Sequence, residues 1–420
     1  MNFLSKIIKP KISTVNRTIV SFGISNLIIL LANFISGVLI MKFINPYEFG
    51  FYNKFLIIAN YIILLNFGIP VVLQSQLPGL LKLKSFSKVH KLVNSAFTYY
   101  MLVLIPISII ILLIALYFYL ENKYLTFFCL IIIVINIWQN LFQNKFLKIL
   151  YRTGDEFKDL IDIQNKSSIT ALLSSSFIIF FNVGGILIKN FFYTIHNIIF
   201  LILKSPLKFK VDYSNIKFIL SSGIKYFRVN IFFSYFPLMV SSICAIIFDS
   251  EDFGFLSLYF LIIASINKLL VSIDKVLYIK ISEQYYLKKP AQLILNRVFK
   301  SNVLPFLICN IFLSIFLIFF VDELINKFFP MYVDGILIIK LSIVLGVLLM
   351  FNFQNIFYDV FNRMKFKFYS ILIKYFIFLI SIFTLGNLEL LKIENILIII
   401  IFSEISSIVF NYYIIKTKIL

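Results

Sequence analysis

Charge is scarce in this chain. Of its 420 residues 14% are charged and 61% are hydrophobic. A soluble domain carries about a quarter charged residues, so an ordinary soluble fold is excluded, and a mean hydropathy of +0.98 agrees. Cysteine is sparse too: Cys129, Cys244 and Cys309 each stand alone in an apolar run, with no paired spacing and no companion histidine. They read as small hydrophobes, neither a disulfide framework nor a metal set. Catalytic signatures are missing. There is no Gly-rich phosphate loop, no Ser–His–Asp order and no acidic pair suited to metal-assisted glycosyl transfer, so neither enzyme chemistry nor a cofactor is expected. The cluster Asp155, Glu156, Asp159 and Asp162, interspersed with Arg152 and Lys158, reads as a solvated charged turn.

What is present is apolar sequence in twelve runs long enough to span a bilayer. Their limits are 18–41, 54–74, 98–120, 125–146, 164–182, 186–203, 224–248, 257–278, 301–321, 336–358, 369–387 and 393–415. The basic, amphipathic start 1–17 leads into a run with no cleavage signal and reads as a retained first helix. A net charge of +20 would suit a nucleic-acid binder, but its distribution argues otherwise. With loops numbered alternately, 28 cations fall on one side. The other side holds only Lys42, Lys54, Lys123, Lys189, Lys327 and Lys392. The positive-inside rule makes the rich side cytoplasmic, with both termini inside. No nucleic-acid partner is expected; attraction to anionic inner-leaflet lipid is a by-product.

An internal repeat suggests the architecture. Phe55-Leu56-Ile57-Ile58-Ala59 recurs as Phe260-Leu261-Ile262-Ile263-Ala264. Just before it, Asn45-Pro46-Tyr47-Glu48-Phe49-Gly50-Phe51 recurs as Asp249-Ser250-Glu251-Asp252-Phe253-Gly254-Phe255. Both copies are expected in an outer loop, each glycine permitting a tight turn. An offset of six helices keeps the copies in one orientation. The expected fold is therefore an all-α integral membrane protein, with twelve transmembrane helices in two pseudo-symmetric six-helix lobes around a central cavity. The lobes would be 1–205 and 206–420, joined inside by the basic segment 204–226.

With the segments Ile44-Asn45-Pro46-Tyr47-Glu48-Phe49-Gly50-Phe51-Tyr52 and Asn66-Phe67-Gly68-Ile69-Pro70, the chain resembles the Wzx-type O-antigen flippases. These form the polysaccharide-export branch of the multidrug/oligosaccharidyl-lipid/polysaccharide superfamily. The resemblance implies translocation of an undecaprenyl-pyrophosphate-linked oligosaccharide across the inner membrane. It also implies a place beside polysaccharide polymerase and glycosyltransferases. Two alternatives stay open. A drug or ion antiporter of the same superfamily would need an acidic site in the first lobe, and spans one to six as mapped hold no carboxylate. A membrane polymerase or ligase would need a large outer loop, and the longest expected here is Asp322–Gly335.

The residue hardest to explain is Lys268, about ten residues from the end of its run and so ~15 Å deep in a ~30 Å hydrocarbon layer. It should face a polar interior or a water-filled path, because such a charge costs at least ~2.5 kcal/mol in lipid. Glu404 matches it in depth and is either its structural partner or, with Arg228, a helper in a cationic cavity for phosphate. Lys275 and Asp274 lie near the cytoplasmic end and could snorkel, as should Lys340 and Lys374. Polar stripes are candidates for a hydrated wall: Asn136, Asn140, Gln143 and Asn144 on one helix face, and Asn352, Asn355 and Asp359 on another. His196 reads as a satisfied core histidine.

Overall fold

The computed structural model describes residues 28, 31–153, 157–205, 207–264, 266, 267, 281, 300, 304–361, 363–388 and 390–419. Within these the chain is helical with no strand. Eight described helices are long and apolar enough to cross a membrane, and Leu31–Phe43, Ile69–Leu81 and Tyr235–Ile247 are shorter apolar helices. The chain is a multi-pass membrane protein. It forms two compact units, Met1–Ile247 and Phe248–Leu420.

In the first unit, side-chain chemistry explains where the helices start and stop. Asn45 accepts the Glu48 N–H at 2.8 Å, and Pro46 occupies the first turn, where its missing N–H is harmless. The Pro46–Ile63 helix therefore begins eight residues before the expected span. The Asn45–Phe51 segment is a helix N-terminus and not an outer loop, and Gly50 is helical. Glu48 consequently lies inside a spanning helix, which corrects the reading that spans one to six lack a carboxylate. After a short 3-10 turn the chain breaks at Phe67 and Gly68, both left-handed with φ of 43° and 74°, before Ile69–Lys82 resumes. The freed backbone groups find partners. Asn66 accepts the Gly68 N–H and donates to the Ile63 carbonyl, and the Tyr99 hydroxyl donates to the Leu65 carbonyl.

The Phe86–Leu120 helix packs along Tyr124–Ile137, which continues as a π-helix over Trp138–Leu147 and then as Lys148–Thr153. Phe157–Ser174 packs on Val183–Leu203, joined by the short helix Phe177–Phe181. Tyr100, Leu141, Phe146 and Tyr151 form the centre of the apolar core. The last helix of this unit, Ile216–Ile247, lies against Ile69–Lys82.

The second unit opens with a helix over 250–264, whose first turn repeats the cap of the first unit: Asp249 accepts the Asp252 N–H at 2.8 Å. Phe49 and Phe253, equivalent in the repeat, are both buried. The repeat is thus a helix-start signal, and Gly254, like Gly50, sits in helix and not in a turn. Leu304–Phe328 runs seven residues past the expected end at 321, so Asp322 is helical and the connection to the next helix shrinks to Phe329–Gly335. Ile336–Leu349, Gln354–Val360, Met364–Asn387 and Ile393–Ile414 complete the unit. Ile393–Ile414 is a core helix, whereas Met364–Asn387 is mostly outward-facing and buries only a stripe that includes Ser370, Ile371, Lys374 and Phe378.

Candidate functional site

A polar seam runs through the apolar interior of the second unit, between Met364–Asn387 and Ile393–Ile414. Lys374 Nζ donates to Glu404 Oε2 at 2.6 Å, with only 11% and 9% of the two side chains exposed. One turn away the Ser370 and Ser407 hydroxyls meet at 2.6 Å. One turn further the Tyr358 hydroxyl, from Gln354–Val360, donates to Asn411 Oδ1 at 3.0 Å. Spacing explains the alignment: Ser370 and Lys374 are four apart on one helix, and Glu404, Ser407 and Asn411 are three and four apart on the other. Glu404 lies eleven residues into its helix, ~17 Å from its start, where an unpaired charge would be costly. Pairing lowers that cost, as buried ions require. Two atoms of the seam region are buried without partners, Asn411 Nδ2 and Gln354 Oε1.

This geometry corrects two expectations. Lys374 does not snorkel; it is the buried partner of Glu404. The carboxylate read as a match for Lys268 therefore has its cation on the neighbouring helix. Lys340 pairs with Asp322 at 2.8 Å on an exposed helix flank. Lys268, Asp274 and Lys275 lie outside the described residues. Arg228 is in the Ile216–Ile247 helix, and Asn352 in the 3-10 turn Met350–Phe353, but their side chains and that of Asp359 also lie outside what is described. Asn355 is half-buried in Gln354–Val360.

The fourth-helix stripe reads differently in three dimensions. Asn136 donates to the Ile132 carbonyl, Asn140 to the Asn136 carbonyl, and Asn144 to Asn140 Oδ1 at 3.5 Å. These amides bond along their own helix, and the π-helical turns alter the α-helical face count that placed Gln143 among them. Gln143 is fully buried, and neither of its amide atoms has a hydrogen-bond partner. Thr194 Oγ1, Asn197 Oδ1 and Glu48 Oε2 are likewise buried without partners. The first unit thus holds several buried polar atoms without partners, which the sequence reading only half identified. The missed signal was Thr194 and Asn197, three apart on the Val183–Leu203 helix, where only His196 had been singled out. His196 is satisfied at one nitrogen only: Nδ1 lies 3.4 Å from Thr170 Oγ1, while Nε2 is buried and unpartnered.

At the loop flank of this unit Lys204 bridges Asp159 and Asp162, at 3.5 and 3.0 Å, and Lys166 also reaches Asp162. The Lys204 hydrogen bond holds the Asp162 carboxyl below its usual value, and the same bond raises the Lys204 ammonium. These pairs are largely exposed and worth little in stability. Around Asp252, burial and the neighbouring carboxylates raise the carboxyl. Among the described residues no group of His, Cys, Asp and Glu could hold a metal ion.

No family model matches this chain, and no curated protein matches it. Solved structures do match in fold. An inward-facing multidrug-resistance MATE transporter of the MOP superfamily aligns with a TM-score of 0.68 at 13% identity, covering 96% of this chain and 98% of the other. The eukaryotic MATE transporter AtDTX14 gives 0.63 at 13%, covering 96% of each. The lipid II flippase MurJ, in an inward closed conformation, gives 0.61 at 15%, covering 95% and 87%. The fold is that of the MATE transporters and MurJ.

Proposed function

We propose that the chain is a flippase that carries a polyprenyl-pyrophosphate-linked oligosaccharide, an O-antigen or capsule unit, across the cell inner membrane by alternating access of two six-helix lobes, 1–205 and 206–420. Both termini are cytoplasmic in this reading, and it involves no catalysis. The observation that carries it is the MurJ-like fold over nearly the whole chain. Arg228, Lys268 and Lys275, with Asp274, are the candidate contacts, and Asn136, Asn140, Asn352 and Asn355 the candidate polar walls. Glu404 acts at one remove, since Lys374 holds its carboxylate. The product would feed a polysaccharide polymerase, and glycosyltransferases would supply the substrate, as lipopolysaccharide biosynthesis requires.

A drug/ion antiporter is the second reading. It is favoured by the MATE structures and by Glu48, whose Oε2 is buried and unpartnered in the first unit. A polymerase or ligase is disfavoured by the outer connection, which is shorter than the sequence suggested. The test is reconstitution into vesicles carrying a fluorescent undecaprenyl-pyrophosphate oligosaccharide and an impermeant glycosidase outside. Protein-dependent exposure of the inner-leaflet pool is expected, and Lys268→Ala should abolish it. No exposure, together with proton-driven efflux of a cationic dye, would replace the flippase with the antiporter.

A further inference from the structure

The exposed surface of the Phe86–Leu120 helix changes character along its length. Lys88, His90 and Lys91 are exposed near its start, and no residue from 92 to 101 is exposed. From Leu102 to Leu120 every exposed side chain is apolar or aromatic. That stretch rises ~27 Å, which matches a ~30 Å hydrocarbon layer. Across the covered stretch lies the connection that follows Val183–Leu203. Its Lys210, Asp212 and Asn215 N–H groups donate to Asn94 Oδ1, Thr98 Oγ1 and Ser95 Oγ at 3.2, 2.8 and 3.1 Å. Phe209 stacks on Phe97 with centroids 5.3 Å apart. These contacts lie ~6–12 Å beyond Leu102 along the helix, at the level of the lipid headgroups. What the connection turns outward is basic. Lys208, Lys210, Lys217 and Lys225 are exposed, as is Lys91 of the supporting helix, and none of the five is in an ion pair among the described residues. Lys204, by contrast, is held by Asp159 and Asp162. Asp212 is the one carboxylate between 204 and 226, and it accepts the Ser214 N–H of its own loop at 2.8 Å. Exposed Val211, Tyr213, Phe218 and Tyr226 are interleaved with the lysines. Lys217, Phe218, Ser221 and Lys225 share a ~100° sector of the Ile216–Ile247 helix.

We infer that this strapped connection and the first turns of the Ile216–Ile247 helix form a preformed surface for the headgroup of an anionic phospholipid. Charge is the first support: five unpaired lysines face one carboxylate that is already hydrogen-bonded, and each lysine at an anionic surface is worth roughly a fivefold change in partition. Chemistry is the second. A soluble polyanion offers nothing to Val211, Tyr213 and Phe218, whereas a lipid presents phosphate above and apolar carbon below, as interleaved lysines and aromatics require. Like charge disfavours a second copy of the same face. The third support is rigidity. Topology needs cations only in number. Here three main-chain hydrogen bonds and the Phe209 stack fix the backbone beneath them, so binding orders lysine side chains and not a loop. The inference rests on the membrane class of the chain and not on the flippase reading.

The experiment uses the full chain purified in a neutral detergent. Native mass spectrometry counts the lipids it retains from an equimolar mixture of phosphatidylglycerol and phosphatidylcholine with the same acyl chains. Phosphatidylglycerol should be favoured at least about tenfold, and Lys208→Gln/Lys210→Gln/Lys217→Gln should remove most of that preference. Lys123→Gln/Lys327→Gln/Lys392→Gln, at lysines exposed elsewhere, should stay within about twofold of wild type. Equal loss in the two triple variants would reduce the effect to general charge and sink the site. Asn94→Ala/Thr98→Val keeps every lysine but frees the strap, and retention should fall about threefold or more. Thr98→Ser, which keeps the acceptor, should match wild type. Unchanged retention in the freed-strap variant overturns the preformed surface, and the lysine variants, all at exposed positions, keep the test independent of how that variant folds. Displacement of the phosphatidylglycerol by an equal concentration of inorganic pyrophosphate would make this a site for a soluble anion and overturn the lipid assignment. No oligosaccharide is present, so failure here is distinct from failure of the flippase reading.

Discussion

Removing one partner of the Lys374–Glu404 pair should cost far more than removing any other ion pair described in the protein. Lys374→Met leaves the Glu404 carboxylate in an apolar interior with its 2.6 Å partner gone. Breaking a buried pair from one side typically costs ~3–5 kcal/mol. Insertion scales put a central charge at ~2.5–3.5 kcal/mol, so ~3 kcal/mol is the working figure. At about 2–4 °C per kcal/mol for a unit of this size, the apparent Tm should fall ~6–12 °C. Glu404→Leu should do the same by stranding the ammonium. The double variant Lys374→Met/Glu404→Leu should return to within ~1 kcal/mol of wild type, because a buried pair and a well-packed apolar pair are often equivalent. Lys340→Met supplies the contrast: its partner Asp322 is exposed, so the loss should be ~0–1 kcal/mol. The assay is the fraction of detergent-solubilised protein that stays monodisperse after heating, read by fluorescence-detected size exclusion. Single variants within ~2 °C of wild type, or a double variant no better than the worse single, would refute the buried-pair argument.

Asn45→Ala and Asp249→Ala each remove a helix cap and should lower stability by ~1 kcal/mol, additively because the caps lie in separate units; heat denaturation of the double variant checks this. Tyr99→Phe leaves the Leu65 carbonyl at the helix break without its donor and should cost ~1–2 kcal/mol, with faster amide exchange confined to residues 64–68. In intact cells an impermeant thiol reagent should label cysteines at Asp252 and Asp334 but not at Lys84, Lys208 or Lys365. All five are exposed positions, and outside labelling of Lys208→Cys would overturn the topology.

The membrane class and the approximate place of most helices were legible because hydropathy over twenty residues is a strong, local signal. Their ends were not. Helices such as Phe86–Leu120 and Leu304–Phe328 continue through polar residues that hydropathy counts as loop. The repeat was legible as a pattern and misread as a turn, since Asn, Asp and Gly serve both turns and caps; only Pro46 one position after Asn45 leaned toward a helix start. Glu404 was identified from its depth, but its partner was not. Lys374 was dismissed for lying five residues from a span limit at 369, whereas the helix begins at Met364 and turns that residue inward. The helix break was invisible because Phe67-Gly68 sits inside one apolar run, and glycine alone does not separate a break from a close packing contact.

The π-helical stretch Trp138–Leu147 has a consequence for how this chain compares with its relatives. An i→i+5 turn holds about one residue more than an α turn, so the stretch stores extra residues without lengthening the rod. Deleting one residue there would let the segment relax toward α geometry. Everything beyond it would rotate by ~100°, the angle one residue subtends. Tyr151, whose hydroxyl reaches the Leu201 carbonyl at 2.7 Å from a fully packed site, would swing away from its partner. Insertions and deletions in this helix are therefore not neutral slack. A homologue with a one-residue gap between 138 and 147 should carry a compensating change at the position facing Leu201, and an alignment scored on hydrophobic period alone would misplace the C-terminal half of the helix by one residue.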